Sequence, residues 1–396
     1  MSLARRITEL PESATIKMAK LSRKLKAEGQ SIVDLSLGMP DFNTPVHIGE
    51  AAKEAIDQHY TFYNPVPGYL DIREAICRKF KKDNGLVYDP DQIVMSTGAK
   101  QSIANVVSCL CDPGDEVLLP VPYWVSYVAM AELAQAKVVE VPSSIDQDFK
   151  ITAEILEKNI TPKSKLMIFS SPCNPSGSVY SKEELEALAA VILAHDDLYV
   201  VSDEIYEHIN FTGSHFSIGA VPGMEARTIT VNGLSKAYAM TGWRLGYIGA
   251  PKEIAAACSK YQSQFTSATN SITQRTVIAA LEGDQAPRIA MNEAFARRRE
   301  LMAKLLGEID GLKINMPEGA FYFFPDASSF FGKSAGDRHI KNADDLCMYL
   351  LEIGGVALVS GTPFGAPNCF RLSYAAADES LVEAVKRIKS ALEKLS

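Results

Sequence analysis

Five polar side chains follow short apolar runs in the middle of the chain. Asn174 comes after LMIF, and Asp203 ends LYVVSD with Tyr206 just beyond it. Lys236 comes after TITVNGLS, with Arg244 downstream in TGWRLGY. In open parallel sheets, ligands bind outside the carboxyl ends of the strands. We therefore expect these groups to meet at one edge of a sheet.

Each of these residues also has an ordinary structural interpretation. Asp203 could cap a helix, and Asn174 could stabilise the turn in which it lies. Lys236 could be a solvated surface lysine. One chemistry uses all of the groups together. A lysine can hold an aldehyde cofactor as a Schiff base. Pyridoxal phosphate in addition needs an acid against its ring nitrogen, so that the protonated ring withdraws electrons.

The phosphate of such a cofactor needs a cation and backbone N–H groups at the start of a helix. The segment STGAKQSIANVV (96–107) predicts a strand, a glycine turn and a helix start of this type. Turns of this kind are common, so the segment alone is weak support.

The elements that must position these residues can be predicted from the apolar pattern. Uninterrupted β-branched runs alternate with helical periods through the middle of the chain, which indicates a parallel sheet covered on both faces. The last third predicts long helices at about 252–282 and 287–307, then short strands and helices near 343–353 and 378–395, as in an α+β unit. A helix near 14–28 has no neighbour in the early sheet and is predicted to join that second unit.

Composition excludes several classes of protein. The chain has 396 residues, of which 47% are apolar and 22% charged, which is typical of a globular protein of two or three units. A net charge of −8 argues against nucleic acid as a partner. The longest apolar run, 187–194, is too short to span a membrane. The N-terminus has no signal-peptide pattern, and seven dispersed cysteines suggest a reducing compartment. We therefore expect a cytoplasmic protein without a metal site.

Longer motifs resemble one family along nearly the whole chain. They include LSLGMPDFNTP, YNPVPGYLDIREAI, PYWVSY, SSPCNPSG, SDEIYEH and SKAYAMTGWRLGY, in this order. The sequence resembles the class I aminotransferases of the fold-type I pyridoxal phosphate architecture, and within them the bacterial branch of aspartate aminotransferases. The resemblance implies an α/β fold with a large cofactor-binding domain over 45–289. It also implies a smaller α+β domain built from 1–44 and 290–396.

The resemblance assigns cofactor and catalytic roles residue by residue. It implies that Lys236 is the Schiff-base lysine and that Asp203 is the partner of the ring nitrogen. It implies that Asn174 and Tyr206 bond the cofactor's phenolic oxygen, and that Trp124 stacks on its ring. Tyr206 joins Lys236 and Asp203 as a catalytic residue. The residues implied to bind the phosphate are Gly98, Ala99, Lys100, Ser235, Arg244 and, from the neighbouring subunit of a homodimer, Tyr63.

The resemblance also implies a set of substrate contacts. Arg371 matches the arginine that binds the α-carboxylate. In the bacterial branch, a lysine in the Gly-x-Lys turn, supported by an N-terminal serine and threonine, binds the distal carboxylate. Here those positions are Lys100, Ser13 and Thr15, although Lys100 could also be a solvated lysine at a helix start. The full predicted set of substrate contacts is Ser13, Thr15, Gly38, Lys100, Trp124, Asn174 and Arg371.

Two departures separate the chain from the animal-type enzymes. Gly233 stands where those enzymes have a serine, so one phosphate hydroxyl is missing and binding depends more on Arg244 and Ser235. Their arginine for the distal carboxylate has no counterpart in YQSQFTSATNSITQ (261–274).

The predicted function is a ping-pong transfer of the amino group of aspartate to 2-oxoglutarate. The alternatives are a specificity for aromatic amino acids or prephenate, and a β-lyase with the same lysine and aspartate. Relatives that accept prephenate tend to carry a basic residue where this chain has Pro11, which weakens the first alternative. A cofactor-sensing regulator is a further alternative, but it would need an added DNA-binding domain, for which the resemblance leaves no spare segment.

Overall fold

A central mixed sheet dominates the computed structural model, which describes residues 3–396. Its strand order is β2-β8-β7-β6-β5-β3-β4, and every neighbouring pair is parallel except the two pairs that involve β8. The strands of the described residues are β1 Val33–Asp34, β2 Ile93–Ser96, β3 Glu116–Pro120, β4 Lys137–Val141, β5 Ser164–Ser170, β6 Tyr199–Asp203, β7 Thr228–Gly233, β8 Gly246–Gly249, β9 Tyr322–Phe323, β10 Ser334–Ala335, β11 Arg338–His339, β12 Val356–Ala357, β13 Val359–Ser360 and β14 Phe370–Ser373.

Helices cover the sheet and supply most of the remaining core. The α-helices of the described residues are α1 Arg5–Thr8, α2 Ala14–Ala27, α3 Val46–Asp57, α4 Leu70–Lys79, α5 Ala99–Leu110, α6 Ser126–Leu133, α7 Ala153–Asn159, α8 Lys182–Leu193, α9 Lys252–Ser263, α10 Ser271–Glu282, α11 Ala286–Gly307, α12 Ala343–Gly354 and α13 Asp378–Leu392. A single π-helical turn, Phe80–Asn84, continues α4. Within residues 3–396, no helix is long and apolar enough to cross a membrane.

The apolar runs of the sequence form the buried centre of the sheet. Every residue of β2, β3, β6 (except Tyr199), β7 and β8 is buried. Parallel strands covered by helices on both faces have no solvent-facing side, which explains why these runs do not alternate with polar residues. The predicted α/β class with a mostly parallel sheet is confirmed.

A second, smaller sheet of order β13-β14-β9 lies in the C-terminal third. Its strands are antiparallel, and β9 and β14 pack in one core with α11, α12 and α13. Strand β1 pairs in parallel with β12, and α2 contacts β12 and β13. These contacts bring the N-terminal segment against the C-terminal unit.

The helical stretch predicted over 252–282 is divided in the structure. Helix α9 ends at Ser263, and α10 begins at Ser271. Between them Ser267 has a left-handed backbone with φ 58°, which interrupts a helix. The Asn270 side chain then accepts a hydrogen bond from the Thr273 N–H, so a new helix starts there.

Candidate active site

A cavity of about 380 Å³ opens at the carboxyl ends of β5, β6 and β7, where the smaller sheet meets the central one. Its lining residues are Ser13, Thr15, Ile16, Leu37, Gly38, Met39, Ala99, Lys100, Trp124, Ser126, Tyr127, Ser170, Asn174, Asp203, Ile205, Tyr206, Ser235, Lys236, Thr241, Arg244, Tyr322 and Arg371. The five polar groups that follow apolar runs in the sequence therefore do meet at one edge.

Lys236 follows β7 and points its amine into the cavity. Its Nζ donates a hydrogen bond to the carbonyl oxygen of Gly38 at 2.5 Å. Burial, together with the positive charge of Arg371, lowers the pKa of Lys236 to about 8, against the opposing effect of Asp203. A lysine with this pKa has a substantial free-amine fraction near neutral pH, which is the nucleophilic form.

Asp203 ends β6 and is buried beside Lys236. Its Oδ2 accepts a hydrogen bond from the Tyr127 hydroxyl at 2.7 Å, and its Oδ1 accepts one from the Ile205 N–H at 3.3 Å. Burial raises the pKa of Asp203 to about 6, although both hydrogen bonds favour the carboxylate. The group is ionised at neutral pH and ready to pair with a buried proton or cation.

Two buried carboxylates next to Asp203 anchor the turn that carries Tyr206. Glu207 forms an ion pair with Lys79, and Asn84 donates to Glu207 Oε2 at 2.7 Å and to Glu204 Oε2 at 2.9 Å. The Ser217 hydroxyl also donates to Glu204. These bonds attach the turn to the π-helical turn and so restrict how Tyr206 can move.

Arg371 lies on β14 and is almost fully buried. Its Nη1 donates to Asn174 Oδ1 at 2.9 Å, and its Nη2 donates to the carbonyl oxygen of Ser36 at 2.7 Å. Its Nε is buried and has no hydrogen-bond partner among the described residues. A buried guanidinium with an unpaired N–H needs an acceptor, and a carboxylate supplies one.

The start of α5 forms a glycine turn next to Arg244. Gly98 is the N-cap residue, with φ 87°, and a Cβ at this position would lie 2.5 Å from Nη2 of Arg244. Arg244 Nη2 donates to the carbonyl oxygen of Thr97 at 3.1 Å. The free N–H groups of the first helical turn, a cation and the nearby Ser235 hydroxyl together suit a phosphate.

The departure at Gly233 has a steric reason. A Cβ at Gly233 would lie 2.7 Å from the backbone oxygen of Leu245 on the neighbouring segment. The close approach of these two segments therefore leaves no room for a serine side chain at this position.

Lys100, the second residue of α5, contacts Trp124 in the cavity. The Lys100 ammonium is 4.9 Å from the centroid of the Trp124 ring. Burial lowers the pKa of Lys100, and the charge of Arg244 adds to this effect. Ser13 and Thr15 line the same cavity, as the predicted substrate contacts require.

Two predicted residues do not line the cavity. Gly98 lies behind it, against Arg244. Tyr63 is 99% exposed on the surface of its own chain, next to Phe62, which is 80% exposed. That Tyr63 acts in a neighbouring subunit stays a prediction.

Sequence reasoning missed two tyrosines of the cavity wall. Tyr127 ends the motif PYWVSY three residues after Trp124, but Trp124 lies before the start of α6, so no helical spacing relates the two residues. Tyr322 lies in the run FYFF, which is indistinguishable from a buried strand. No signal in the sequence separates Tyr322 from its apolar neighbours.

The charges of the cavity fit an anionic cofactor and substrate. Its described lining contains four cationic side chains and one carboxylate. The cations are Lys100, Lys236, Arg244 and Arg371, and the carboxylate is Asp203. An excess of positive charge in a protein of net charge −8 is suited to bind a phosphate together with carboxylates.

Comparison with known proteins identifies the family. The chain matches the family described as Aminotransferase class I and II over residues 30–388, and it belongs to that family. It is 48% identical to a bifunctional aspartate aminotransferase and glutamate/aspartate-prephenate aminotransferase of Petunia hybrida, over 99% of this chain and 83% of that protein. It is 44% identical to an aspartate/prephenate aminotransferase of Nitrosomonas europaea, over 99% of this chain and all of that protein.

The solved structures agree with this assignment. An aspartate aminotransferase from Rhizobium meliloti matches with a TM-score of 0.96 and 41% identity, over the full length of both chains. The aspartate aminotransferase of Thermus thermophilus crystallised with maleate matches with a TM-score of 0.93 and 40% identity, over 99% of this chain and all of that one. The predicted family and fold are thus confirmed, and the protein is a transaminase.

Proposed function

We propose that this transaminase uses pyridoxal 5'-phosphate to move the amino group of L-aspartate to 2-oxoglutarate in a ping-pong sequence. The observation that carries the proposal is the pairing of a lysine of lowered pKa, Lys236, with a buried carboxylate, Asp203, in one cationic cavity. The names of the relatives, several of which are aspartate aminotransferases, support aspartate as the donor.

The cavity fits the cofactor group by group. When bound, pyridoxal phosphate supplies an aldehyde for a lysine and a protonated ring that withdraws electrons from the reacting carbon. Lys236 would hold the aldehyde and Asp203 would keep the proton on the ring nitrogen. Asn174 and Tyr206 would bond the phenolic oxygen, and Trp124 would stack on the ring. The phosphate ligands would be Ala99 and Lys100, through their backbone N–H groups, together with Ser235 and Arg244. The N–H of Gly98, which the resemblance also implies as a ligand, already donates to the Ser96 carbonyl oxygen, so Gly98 would shape the turn without binding the phosphate.

Lys236 is the proposed carrier of the proton. Once the amino acid has displaced it, its amine would remove the proton from Cα and later return it to the neighbouring carbon. A base works best when its pKa lies near the working pH, and the pKa of about 8 in the free protein meets this requirement.

Arg371 is the proposed anchor of the α-carboxylate. Its unpaired Nε and the nearby Asn174 side chain offer donors that a planar carboxylate can accept. The Gly38 backbone lies beside Lys236 and would border the bound amino acid. Fixing the carboxylate would orient the Cα–H bond toward Lys236, and such orientation lowers the barrier to proton transfer.

Lys100 is proposed to bind the distal carboxylate, with Ser13 and Thr15 as further donors. We expect Lys100→Ala to lower kcat/KM for aspartate by about 30-fold or more, because it removes one partner of a close charge pair. Turnover of alanine, which lacks the distal carboxylate, should fall far less. The measurement is steady-state kinetics with both donors.

Lys333→Ala is the matched control for Lys100. The Lys333 ammonium also lies over an aromatic ring, 5.0 Å from the Phe330 centroid, but it is outside the cavity. This control should leave both donors unaffected. Equal losses for aspartate and alanine in Lys100→Ala would show that Lys100 does not bind the distal carboxylate.

Prephenate is a second candidate substrate, because several relatives are named aspartate/prephenate aminotransferases. The cavity mouth carries exposed apolar side chains of Ile16, Leu37 and Met39. These side chains would contact the ring of a bulky substrate more favourably than they would contact a short acidic chain. Prephenate would take the place of 2-oxoglutarate as the acceptor. Pro11 stands where prephenate-accepting relatives tend to have a basic residue, so 2-oxoglutarate remains the favoured acceptor.

A homodimer with shared active sites is proposed from Tyr63. Its exposed ring and the adjacent Phe62 would be covered by a second copy of the chain, since large exposed apolar groups mark interaction surfaces. In this arrangement the Tyr63 hydroxyl would reach the phosphate site of the other subunit.

Mixing Tyr63→Phe chains with Lys236→Ala chains tests this arrangement. A hybrid dimer would contain one site with both an intact lysine and an intact tyrosine. We expect activity at limiting cofactor to rise above that of either parent, up to about half the wild-type value per hybrid dimer, since one site in two is complete. Activity that stays at the sum of the parents would contradict the shared site.

The visible absorption spectrum tests the proposed function as a whole. Protein reconstituted with pyridoxal phosphate should show a visible band that L-aspartate removes and 2-oxoglutarate restores. A band that aspartate leaves unchanged would reject aspartate as the donor and direct the same test to aromatic amino acids. Prephenate, which is a 2-oxo acid, would be tested in place of 2-oxoglutarate as the compound that restores the band. Pyruvate and ammonia formed without an acceptor would indicate a β-lyase instead. Absence of any band would reject the cofactor assignment.

A further inference from the structure

Tyr322 is a buried tyrosine of the cavity wall. It lies on β9, opposite Ser373 on β14, and Arg371 is two residues along the same strand. Residues spaced by two on a strand share a face, so Tyr322 and Arg371 are neighbours on one side of the smaller sheet. The Arg371 guanidinium lies 4.6 Å from the Tyr322 ring centroid.

The Tyr322 hydroxyl contacts the group proposed to bond the cofactor's phenolic oxygen. It lies 2.7 Å from the Tyr206 hydroxyl, and the two rings meet edge to face with centroids 5.9 Å apart. A Cβ at Gly38 would overlap the Tyr322 hydroxyl, so the backbone there closes over the pair. The contact joins the smaller sheet to the turn after β6.

Each of the two tyrosine hydroxyls has one proton to donate. This limit decides which of them is the donor in their mutual hydrogen bond once Tyr206 bonds the cofactor. Burial raises the pKa of both phenols, so each keeps its single proton at neutral pH. A phenol donates one hydrogen bond and can accept others. If Tyr206 donates to the cofactor's phenolic oxygen, it can only accept from Tyr322, and Tyr322 must be the donor.

We propose that Tyr322 is a positioning residue for the transamination: its hydroxyl donates to Tyr206 and thereby directs and strengthens the hydrogen bond from Tyr206 to the cofactor. This inference rests on the proposed function of Tyr206. Successive hydrogen bonds polarise one another, so a donor behind Tyr206 makes Tyr206 a better donor. The hydrogen bonds of Arg371 go to Asn174 and Ser36, and Arg371 lies over the ring of Tyr322, so loss of the hydroxyl leaves the carboxylate anchor in place.

The test is Tyr322→Phe in the reconstituted protein, read by a pH titration of the visible band. A hydrogen bond to an oxygen that carries negative charge favours the deprotonated form of the bound cofactor. Weakening that bond therefore raises the midpoint of the titration, by about half a pH unit for the loss of one ordinary hydrogen bond. We expect kcat to fall about 3-fold on the same basis, while KM for the amino acid stays within about 2-fold.

A double substitution isolates the proposed route. In a Tyr206→Phe background, Tyr322→Phe should move the midpoint no further, because the hydroxyl that it acts on is gone. Tyr374→Phe is the matched control: Tyr374 is buried in the same sheet, and its hydroxyl donates to the Ala320 carbonyl at 3.1 Å, away from the cavity. It should change stability and leave the midpoint alone.

The outcomes separate this inference from the proposed function. A wild-type band that responds to aspartate, with an unchanged midpoint in Tyr322→Phe, overturns the role of Tyr322 alone. A midpoint that moves equally with and without the Tyr206 hydroxyl also overturns that role. No wild-type band overturns both. If Tyr322→Phe does not fold, Tyr322→Met is compared with and without the Tyr206 hydroxyl. A shift that comes from the lost ring contact with Arg371 would persist in the Tyr206→Phe background, and a shift through the hydroxyl would not.

Discussion

Replacing Lys236 by alanine is expected to lower turnover by at least about 10⁴-fold, because one side chain supplies both the nucleophile and the general base. The cavity should remain, since Lys236 donates only one hydrogen bond, to the Gly38 carbonyl. Borohydride should then fail to link the cofactor covalently to the protein. Gel filtration should therefore remove the bound cofactor. Small primary amines that fit the space left by the side chain should restore part of the rate.

The control for Lys236 is Lys150→Ala. Lys150 is another partly buried lysine, paired with Glu184 outside the cavity, and its loss should affect stability only. Turnover in Lys236→Ala within about 10-fold of wild type, or a borohydride-stable cofactor adduct in that variant, would contradict the assignment, since nothing else in the cavity combines these two roles.

Asp203→Asn is expected to lower kcat by about 10²–10³-fold. The carboxylate is buried, and removing one charge of a buried pair costs about 3–5 kcal/mol. The amide is similar in size and can still accept the Tyr127 hydrogen bond, so the fold should be kept. Without the negative charge the ring nitrogen of the cofactor would lose its proton at neutral pH. The measurement is the rate of the aspartate half-reaction in a rapid-mixing experiment across the pH range.

Another buried carboxylate provides the control for Asp203. Glu116, at the start of β3, is buried, accepts hydrogen bonds from Thr161 and Lys137, and does not line the cavity. Glu116→Gln should lower the melting temperature and leave the half-reaction within a few fold of wild type. A normal half-reaction in Asp203→Asn would show that this carboxylate is structural.

The alternation of strands and helices through the middle of the chain could be predicted, because its strands are buried on both faces. Strands β5, β6 and β7 form at LMIF, LYVVSD and TITVNG, the apolar runs that precede Asn174, Tyr206 and Lys236. The antiparallel strand β8 could not be predicted in this way, because its residues, GYIG, carry little β-branched signal. The division into domains at residues 45 and 289 stays a prediction.

The part of the candidate site that lies in sequence motifs could be predicted. Lys236, Asp203 and Asn174 follow apolar runs, and topology alone brings the ends of parallel strands together. Arg371 depended on the resemblance, since nothing in FRLSYA indicates which face of β14 meets the cavity. Its bond to Asn174 joins residues 197 positions apart, and no local pattern encodes such a pairing.

The sequence by itself determined the family, the α/β class and the chemistry available at the strand ends, because these depend on residue type, period and spacing. Only the tertiary structure decided which of these groups are buried from solvent, charged or hydrogen-bonded to a partner. The lowered pKa of Lys236, the raised pKa of Asp203 and the contact of Tyr206 with Tyr322 all arise from packing between distant segments. Burial and through-space charge set these properties, and both depend on neighbours that only the folded chain supplies.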